Sequence, residues 1–504
     1  MKKLKIYFTS DLHGYVFPTD YRDDCEKNMG ILKIINEYEK DGNTLIIDGG
    51  DTIQGSPFTN FLSSNKFNVH PLAKIMNKGG YDYITLGNHD FNYGYDYLKK
   101  YVTNLDGKCL CANVKDKSEK LPILPYDIKV MDNGLRVGII GFTTDFINRW
   151  ERPSNLENFT VSETYEAVKN YFDNVSENSD LVIGVYHGGF EYDLESHKKL
   201  SETSENIAYK ICEDFDFDIL LTGHQHMSID GKIINDTYIA QTPPNGTYYL
   251  ELNVALDDNL NKIIDSKLKV PTCKPNSLMF NELMPLEKEV QNWLDTPVGF
   301  LDVALQPTTH IDMAINGSYL ANFINQIQLD ASNADISVTS FANSIKGFNK
   351  EVTVRDITST YMFPNTLSIL KVTGKILKLA LERSASYIDN SKGELKVSDL
   401  FLKPKVEHYN YDYFSNIEYT FDITKPIGTR VTSIKFKGNE INENDTFTLA
   451  MNNYRATGAG GYDFYTECEV VKEVLEEMPD IIIDYFKKYK KVIVDKSKYL
   501  TVIK

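Results

Sequence analysis

Five short apolar runs in this chain each stop on a cluster of Asp, Asn or His. IYFTSDLHG ends in Asp11 and His13, TLIIDGGD in Asp51, YITLGNHD in Asn88 and His89, LVIGVYHGG in His187, and ILLTGHQH in His224 and His226. Short apolar runs rich in Ile, Val, Leu and Tyr read as buried strands. In an α/β sheet the ligand crevice lies outside the carboxyl ends of the strands. The pattern therefore predicts five separated segments presenting polar side chains at one edge of one sheet. MGILKIINEYEK and VSETYEAVKNYFDNVSEN carry helical spacing between these runs, with Ser162 placed to cap the second. Residues 1 to about 275 thus read as alternating strands and helices, with the helices packed outside.

The side chains gathered in this way are imidazoles and carboxylates without a cysteine. That set suits Zn, Mn, Fe, Co or Ni. Taken singly, each motif is weak, and the two histidines of GHQH alone are as well explained as surface groups. Five in order, all at strand ends, point to a metal centre. Two ions need a bridging group, and Asp51, lying between the Asp11/His13 pair and the later ligands, is the natural one. Ions roughly 3.5–4 Å apart can hold a hydroxide and clamp a phosphoryl group for in-line attack. Phosphoester hydrolysis is the expected chemistry. The four histidines outside these motifs (His70, His197, His310 and His408) read as ordinary surface or partly buried residues.

A chain of 504 residues exceeds what one hydrophobic core usually supports, so two or three domains are expected. The net charge of -17 argues against binding nucleic-acid polymers, which call for a basic stripe, but not against small nucleotides, since bound cations supply local positive charge. Six scattered cysteines without a CxxC pair read as reduced thiols. The first strand begins at about Leu4, directly behind MKK, and no run is long enough to span a membrane. Both features predict a cytoplasmic protein without a membrane partner, or an extracellular one if a leader has been removed. Oligomeric state is not legible.

SDLHG, DGGDTIQGSP, LGNHDFNYG, HGGFEYD and TGHQH together resemble the calcineurin-like metallophosphatase domain of the 5′-nucleotidase family. YMFPNTLSILKVTGKILKLALERSASY and DTFTLAMNNYRATGAGGYDFY resemble that family's C-terminal substrate domain, so the likeness covers nearly the whole chain. It implies a four-layer αββα metallophosphatase domain over 1–275, a linker helix and hinge over 276–300, and a second α/β domain over 301–504. Two divalent ions (Mn²⁺, Zn²⁺ or similar) are implied. Asp11, His13, Asp51 and His226 would hold the first, and Asp51, Asn88, His187 and His224 the second. His89 would act beside the phosphate, stabilising charge or protonating the leaving oxygen. Asn92 stands where 5′-nucleotidases usually carry the Asp that pairs with this histidine. That departure, with FPNTL, YDYFSNIEY and NNYRA, is similar to the 2′,3′-cyclic-nucleotide 2′-phosphodiesterase/3′-nucleotidase branch. An Asn cannot raise imidazole basicity as a carboxylate does, so His89 is expected to deprotonate more easily than in a His–Asp pair.

The second half lacks a plausible catalytic constellation but is aromatic. Facing rings can sandwich a nucleobase, at roughly 1–3 kcal/mol per base. The resemblance implies Tyr454 as one wall and Tyr409 or Tyr411 as the other. Strand alternation would place Tyr409 and Tyr411 on one face. Where 5′-nucleotidases usually show a Gly-rich segment with Arg, this chain reads TSFANSIKG, leaving Asn343 as a polar candidate, with Asn452 a second. The resemblance thus implies hydrolysis of 2′,3′-cyclic nucleotides to 3′-nucleotides and then nucleosides. The alternatives are a 5′-nucleotidase or UDP-sugar/nucleotide pyrophosphatase of the same family, and a non-catalytic nucleotide-binding protein.

Overall fold

A computed structural model describes residues 1–504 except 24, 196, 198, 200–202, 258–260, 362–364, 392, 404 and 475. Phe363 and Pro364 of the FPNTL motif therefore lie outside the described residues. The chain forms two compact units, Met1–Val290 and Gln291–Lys504.

The five motif-bearing runs are strands, but they belong to two sheets rather than one. Lys2–Thr9, Thr44–Asp48 and Tyr83–Ile84 lie side by side and parallel in a seven-stranded sheet. Leu181–His187 and Ile219–Thr222 lie parallel in a six-stranded sheet. The two sheets face each other across one apolar layer, in which Ile6, Phe8 and Ile47 of the first meet Ile139, Ile183 and Leu221 of the second. On the outer face of the second sheet, helix Thr164–Glu177 buries Val168, Phe172 and Val175 against Ile140 and Phe142. This is the expected sandwich flanked by helices. An apolar run reads the same whichever sheet takes it, so the single-sheet expectation is corrected only by the strand pairing.

Two local expectations also change. MGILKIINEYEK forms only the short helix Ile31–Ile34, all four residues buried, followed by tight turns. Ser162 does not cap helix Thr164–Glu177; its hydroxyl instead turns to the Asn113 carbonyl at 3.4 Å. Near the end of the first unit, the stretch read as one helix is the 18-residue helix Ser277–Leu294, with Pro285 inside it. No helix among the described residues is long and apolar enough to cross a membrane.

The second unit is built on a five-stranded mixed sheet in the order Tyr413–Ser415, Ile336–Thr339, Thr446–Asn452, Leu367–Thr373, Glu469–Val474. Helix Tyr319–Ser332, capped by the Ser318 hydroxyl, and helix Gly374–Ala385, capped by that of Thr373, bury Phe323, Ile327, Leu377 and Leu381 in its core.

Candidate metal centre

The loops that follow the first three strands of the seven-stranded sheet are tied to one another. The Asp11 amide donates to the Gly50 carbonyl at 2.9 Å, and that of His13 to Asp51 at 2.7 Å. Asp90 gathers four amide N–H groups on one carboxylate, those of Asp51, Thr52, Ile53 and Gly87, at 2.8–3.0 Å. It thereby fixes the loop that carries Asp51 against the loop that carries Asn88 and His89. Gly87 is required at this crossing, because a Cβ there would sit 2.1 Å from Asp51 Oδ1.

The loops are strained where the predicted ligands sit. Asp11, His13, Asp51, His224 and His226 have φ of 55°, 47°, 54°, 68° and 57°. For a residue with a Cβ the left-handed region costs about 1–2 kcal/mol. Strain of this kind persists only where surrounding structure enforces it, and it concentrates at functional sites.

All seven predicted ligands converge. One donor atom each from Asp11, His13 and His226 lies within 4.8 Å of the others, as does one each from Asp11, Asp51 and His187. His226 Nε2 is 3.1 Å from His13 Nε2 and 3.3 Å from Asp11 Oδ1. His187 Nε2 is 3.2 Å from both Asp51 Oδ2 and Asn88 Oδ1, and His224 Nδ1 is 2.9 Å from the same Asn88 oxygen. Asp11 and Asp51 are fully buried.

The donor set fits divalent metal. His187 Nδ1 lies 2.7 Å from the Gly49 carbonyl, His13 Nδ1 3.1 Å from that of Gln54, and His224 Nε2 3.0 Å from the Glu205 carboxylate. Each acceptor holds a proton on the outward nitrogen, so the inward nitrogen is the one on which a metal ion would take a proton's place, the arrangement that supports metal-binding histidines. Electrostatics agree. Burial alone would push the His187 imidazole down, but the Asp51 and Asp11 carboxylates lift it to about 10. Burial likewise opposes ionisation of Asp51, yet the surrounding imidazoles hold it well below the usual carboxylate range. His13 is lowered to about 4, chiefly by burial, with His226 and His89 adding to the drop and the Asp51 carboxylate opposing it. The pocket favours positive charge beside Asp51.

His89 stands beside this cluster, its ring 5.4 Å from that of His13 and its amide 2.7 Å from Asp51 Oδ1. Its Nδ1 is 2.8 Å from Asn92 Oδ1, so the predicted pair is in contact. Four neighbours were not among the predicted site residues. Glu205 orients His224, Asp90 pins the loops, Trp150 stacks on the His224 ring at 5.4 Å, and Glu151 receives the Asn92 amide. For Asp90, sitting inside GNHD at a turn, the motif itself was the available signal.

The candidates of the second unit divide. Tyr409 and Tyr454 are partly exposed. Tyr411 is 1% exposed, and its hydroxyl donates to the Ala314 carbonyl at 3.2 Å, so it lies in the core and forms no surface wall. The alternation argument fails because His408–Asn410 is a 3₁₀ turn, not strand. The Asn452 oxygen caps the short helix Asn453–Ala456 by accepting the Arg455 amide at 2.7 Å. Asn343 bridges the Val406 carbonyl and the His408 amide at 2.7 and 2.9 Å, on the wall of a cleft of about 400 Å³. Two histidines read as ordinary meet in that cleft, with His310 stacked on His408 at 4.1 Å. His70, also read as ordinary, is buried and caps helix Pro71–Gly79 through Nδ1. Sequence reading also passed over Arg455. Its buried guanidinium contacts Asp412 at 3.0 Å and the Tyr409 carbonyl at 2.9 Å, tying the loop of Tyr454 to that of Tyr409.

A sandwich with His, Asp and Asn ligands at the strand ends of both sheets defines a metallophosphoesterase, a hydrolase of phosphate esters. Residues 4–228 match the calcineurin-like phosphoesterase family and residues 297–467 the 5′-nucleotidase C-terminal domain. A Staphylococcus aureus protein classed with the 5′-nucleotidases, solved with alpha-ketoglutarate, superposes with a TM-score of 0.90 at 33% identity over 100% of both chains. The chain belongs to the 5′-nucleotidase family. The 2′,3′-cyclic-nucleotide 2′-phosphodiesterase/3′-nucleotidase of Salmonella typhimurium is 26% identical over 90% of this chain and 81% of its own length. The trifunctional nucleotide phosphoesterase YfkN of Bacillus subtilis is 26% identical over 97% of this chain, which spans 38% of that protein's length.

Proposed function

We propose that this protein hydrolyses 2′,3′-cyclic nucleotides to 3′-nucleotides and then to nucleosides, using two divalent ions. Asp11, His13, Asp51 and His226 would hold one ion, and Asp51, Asn88, His187 and His224 the other. When bound, such a pair supplies Lewis-acid polarisation of a phosphoryl group and an activated water. His89 stabilises charge on the phosphoryl oxygens or protonates the leaving ribose oxygen, work worth roughly 10²–10⁴-fold. Tyr409 and Tyr454 offer stacking faces for a base, which would tolerate any of the four.

The observation carrying the branch is Asn92, in contact with His89 where a 5′-nucleotidase would place Asp, together with relatives named for the cyclic-nucleotide activity. A strained 2′,3′-cyclic diester needs less help from a general acid than a 5′-monoester. The test is product release from 2′,3′-cyclic AMP, 3′-AMP and 5′-AMP under one condition with added Mn²⁺. Turnover of the first two well above the third is expected; preference for 5′-AMP would overturn the branch.

A further inference from the structure

Beyond the Asn92 contact, the structure places a carboxylate one residue further from His89. The Asn92 side-chain amide donates to Glu151 Oε2. Glu151 Oε1 accepts the Arg152 amide at 2.7 Å and the Asn155 side-chain amide at 2.8 Å. Asn155 also donates to the Asn92 carbonyl at 3.0 Å. The three groups meeting Glu151 are all donors, and an ionised carboxylate is the side chain that accepts without donating.

This sets a direction along the whole chain. Because Glu151 can only accept, Asn92 must present its NH₂ outward and its oxygen to His89. That oxygen can only accept, so His89 keeps a proton on Nδ1 and Nε2 is the nitrogen left to give or take a proton at the leaving oxygen. We propose that Glu151 is a positioning residue that fixes the Asn92 amide and, through it, the tautomer and orientation of His89. The His–Asp pair of a 5′-nucleotidase would thus be replaced by a three-part His89–Asn92–Glu151 relay, with the negative charge one side chain removed. The inference rests on the proposed role of His89, but not on which nucleotide is hydrolysed.

The donor count makes a reciprocal exchange the test. Glu151→Gln must turn its NH₂ either to the Asn92 amide or to the two donors of Arg152 and Asn155, so one contact becomes donor against donor unless Asn92 flips and His89 moves its proton from Nδ1 to Nε2. Asn92→Asp sets two carboxylates within hydrogen-bond distance. Combining the two changes satisfies every group again. The carboxylate introduced at position 92 would accept from His89 and from the amide introduced at position 151, whose oxygen would accept from Arg152 and Asn155. Each single variant is expected to lose about 10- to 100-fold in kcat, as removing an outer support of a site does, with KM and metal content little changed. The double variant is expected to recover most of that loss. Rates are read on 3′-AMP and on phenyl phosphate, so a wrong choice of nucleotide leaves the cycle readable. A second readout needs neither metal nor turnover. In the ¹⁵N-imidazole NMR spectrum of the metal-free protein, the resonance lost in His89→Ala should show a protonated Nδ1 in wild type and double variant, and a changed or mixed tautomer in Glu151→Gln. An unchanged kcat in Glu151→Gln, a double variant no better than the worse single, or a wild-type His89 without a proton on Nδ1 would each overturn the proposal.

Discussion

Asp90 offers the sharpest perturbation, because one carboxylate holds the backbone of both loops at the centre. Asp90→Asn keeps one acceptor oxygen and replaces the other with a donor, so two of the four amide N–H groups lose their partner. An unmade buried hydrogen bond costs about 1–3 kcal/mol, which puts the gross loss at about 2–6 kcal/mol. Opposing it is relief of a buried charge. Burial first, and the Asp51 carboxylate second, lift Asp90 from 3.8 to about 6, and a lift of that size corresponds to about 3 kcal/mol. The metal-free variant should therefore be only modestly less stable than wild type. Cations beside Asp51 cancel its share of the repulsion, so with metal bound the relief shrinks and the hydrogen-bond loss shows. Because the cost is larger in the metal-bound state, the variant must bind metal more weakly. The assay is thermal unfolding with and without Mn²⁺. The Mn²⁺-induced rise in melting temperature should be clearly smaller in Asp90→Asn, and Asp90→Ala should be less stable than Asp90→Asn in both conditions. An Asn variant with the wild-type Mn²⁺ shift, or an Ala variant as stable as the Asn one, would refute the reasoning.

Glu205→Gln should weaken metal binding about 10- to 100-fold, read by metal titration, because it weakens the acceptor that keeps the His224 proton outward; unchanged affinity would remove Glu205 from the site. Tyr454→Ala and Tyr409→Ala should each raise KM for a nucleotide about 5- to 150-fold, the equivalent of roughly 1–3 kcal/mol of stacking, while leaving turnover of phenyl phosphate as it was; equal losses on both substrates would count against base stacking. Asp48 is buried between the Thr9 and Thr52 hydroxyls and lifted to about 7, chiefly by burial. The unfolded carboxyl titrates near 3.9, so the folded chain binds that proton more tightly, and the associated stability is complete below about pH 4 and lost as pH rises through about 7. The melting temperature of metal-free wild type, relative to Asp48→Asn, should fall across that window, and a constant difference would contradict the assignment.

The centre was legible because its chemistry is carried by residue types at fixed places. Asp11, His13, Asp51, Asn88, His187, His224 and His226 each follow an apolar run, and a strand end can project a side chain in few directions. What supports them was not legible. Glu205 reaches His224 from a loop 19 positions away, and Glu151 reaches Asn92 across 59. Neither is marked by periodicity, and a glutamate on a loop is by default a solvated charge. The sheet count was misread for a related reason, since apolar runs reveal burial but not pairing. In the second unit, Tyr409 and Tyr411 looked equivalent under strand alternation, but the 3₁₀ turn at His408–Asn410 sends Tyr411 inward. Arg455, beside the Tyr454 of interest, gave no sign that it is the buried tie between two loops.

The central claim is that one carboxylate, Asp51, organises a pair of ions. Anomalous diffraction from crystals equilibrated with Mn²⁺ tests it most directly. Two peaks about 3.5–4 Å apart are expected, one among Asp11, His13 and His226, the other among Asn88, His187 and His224, with Asp51 contacting both. A single peak, or a pair that Asp51 does not bridge, would contradict it.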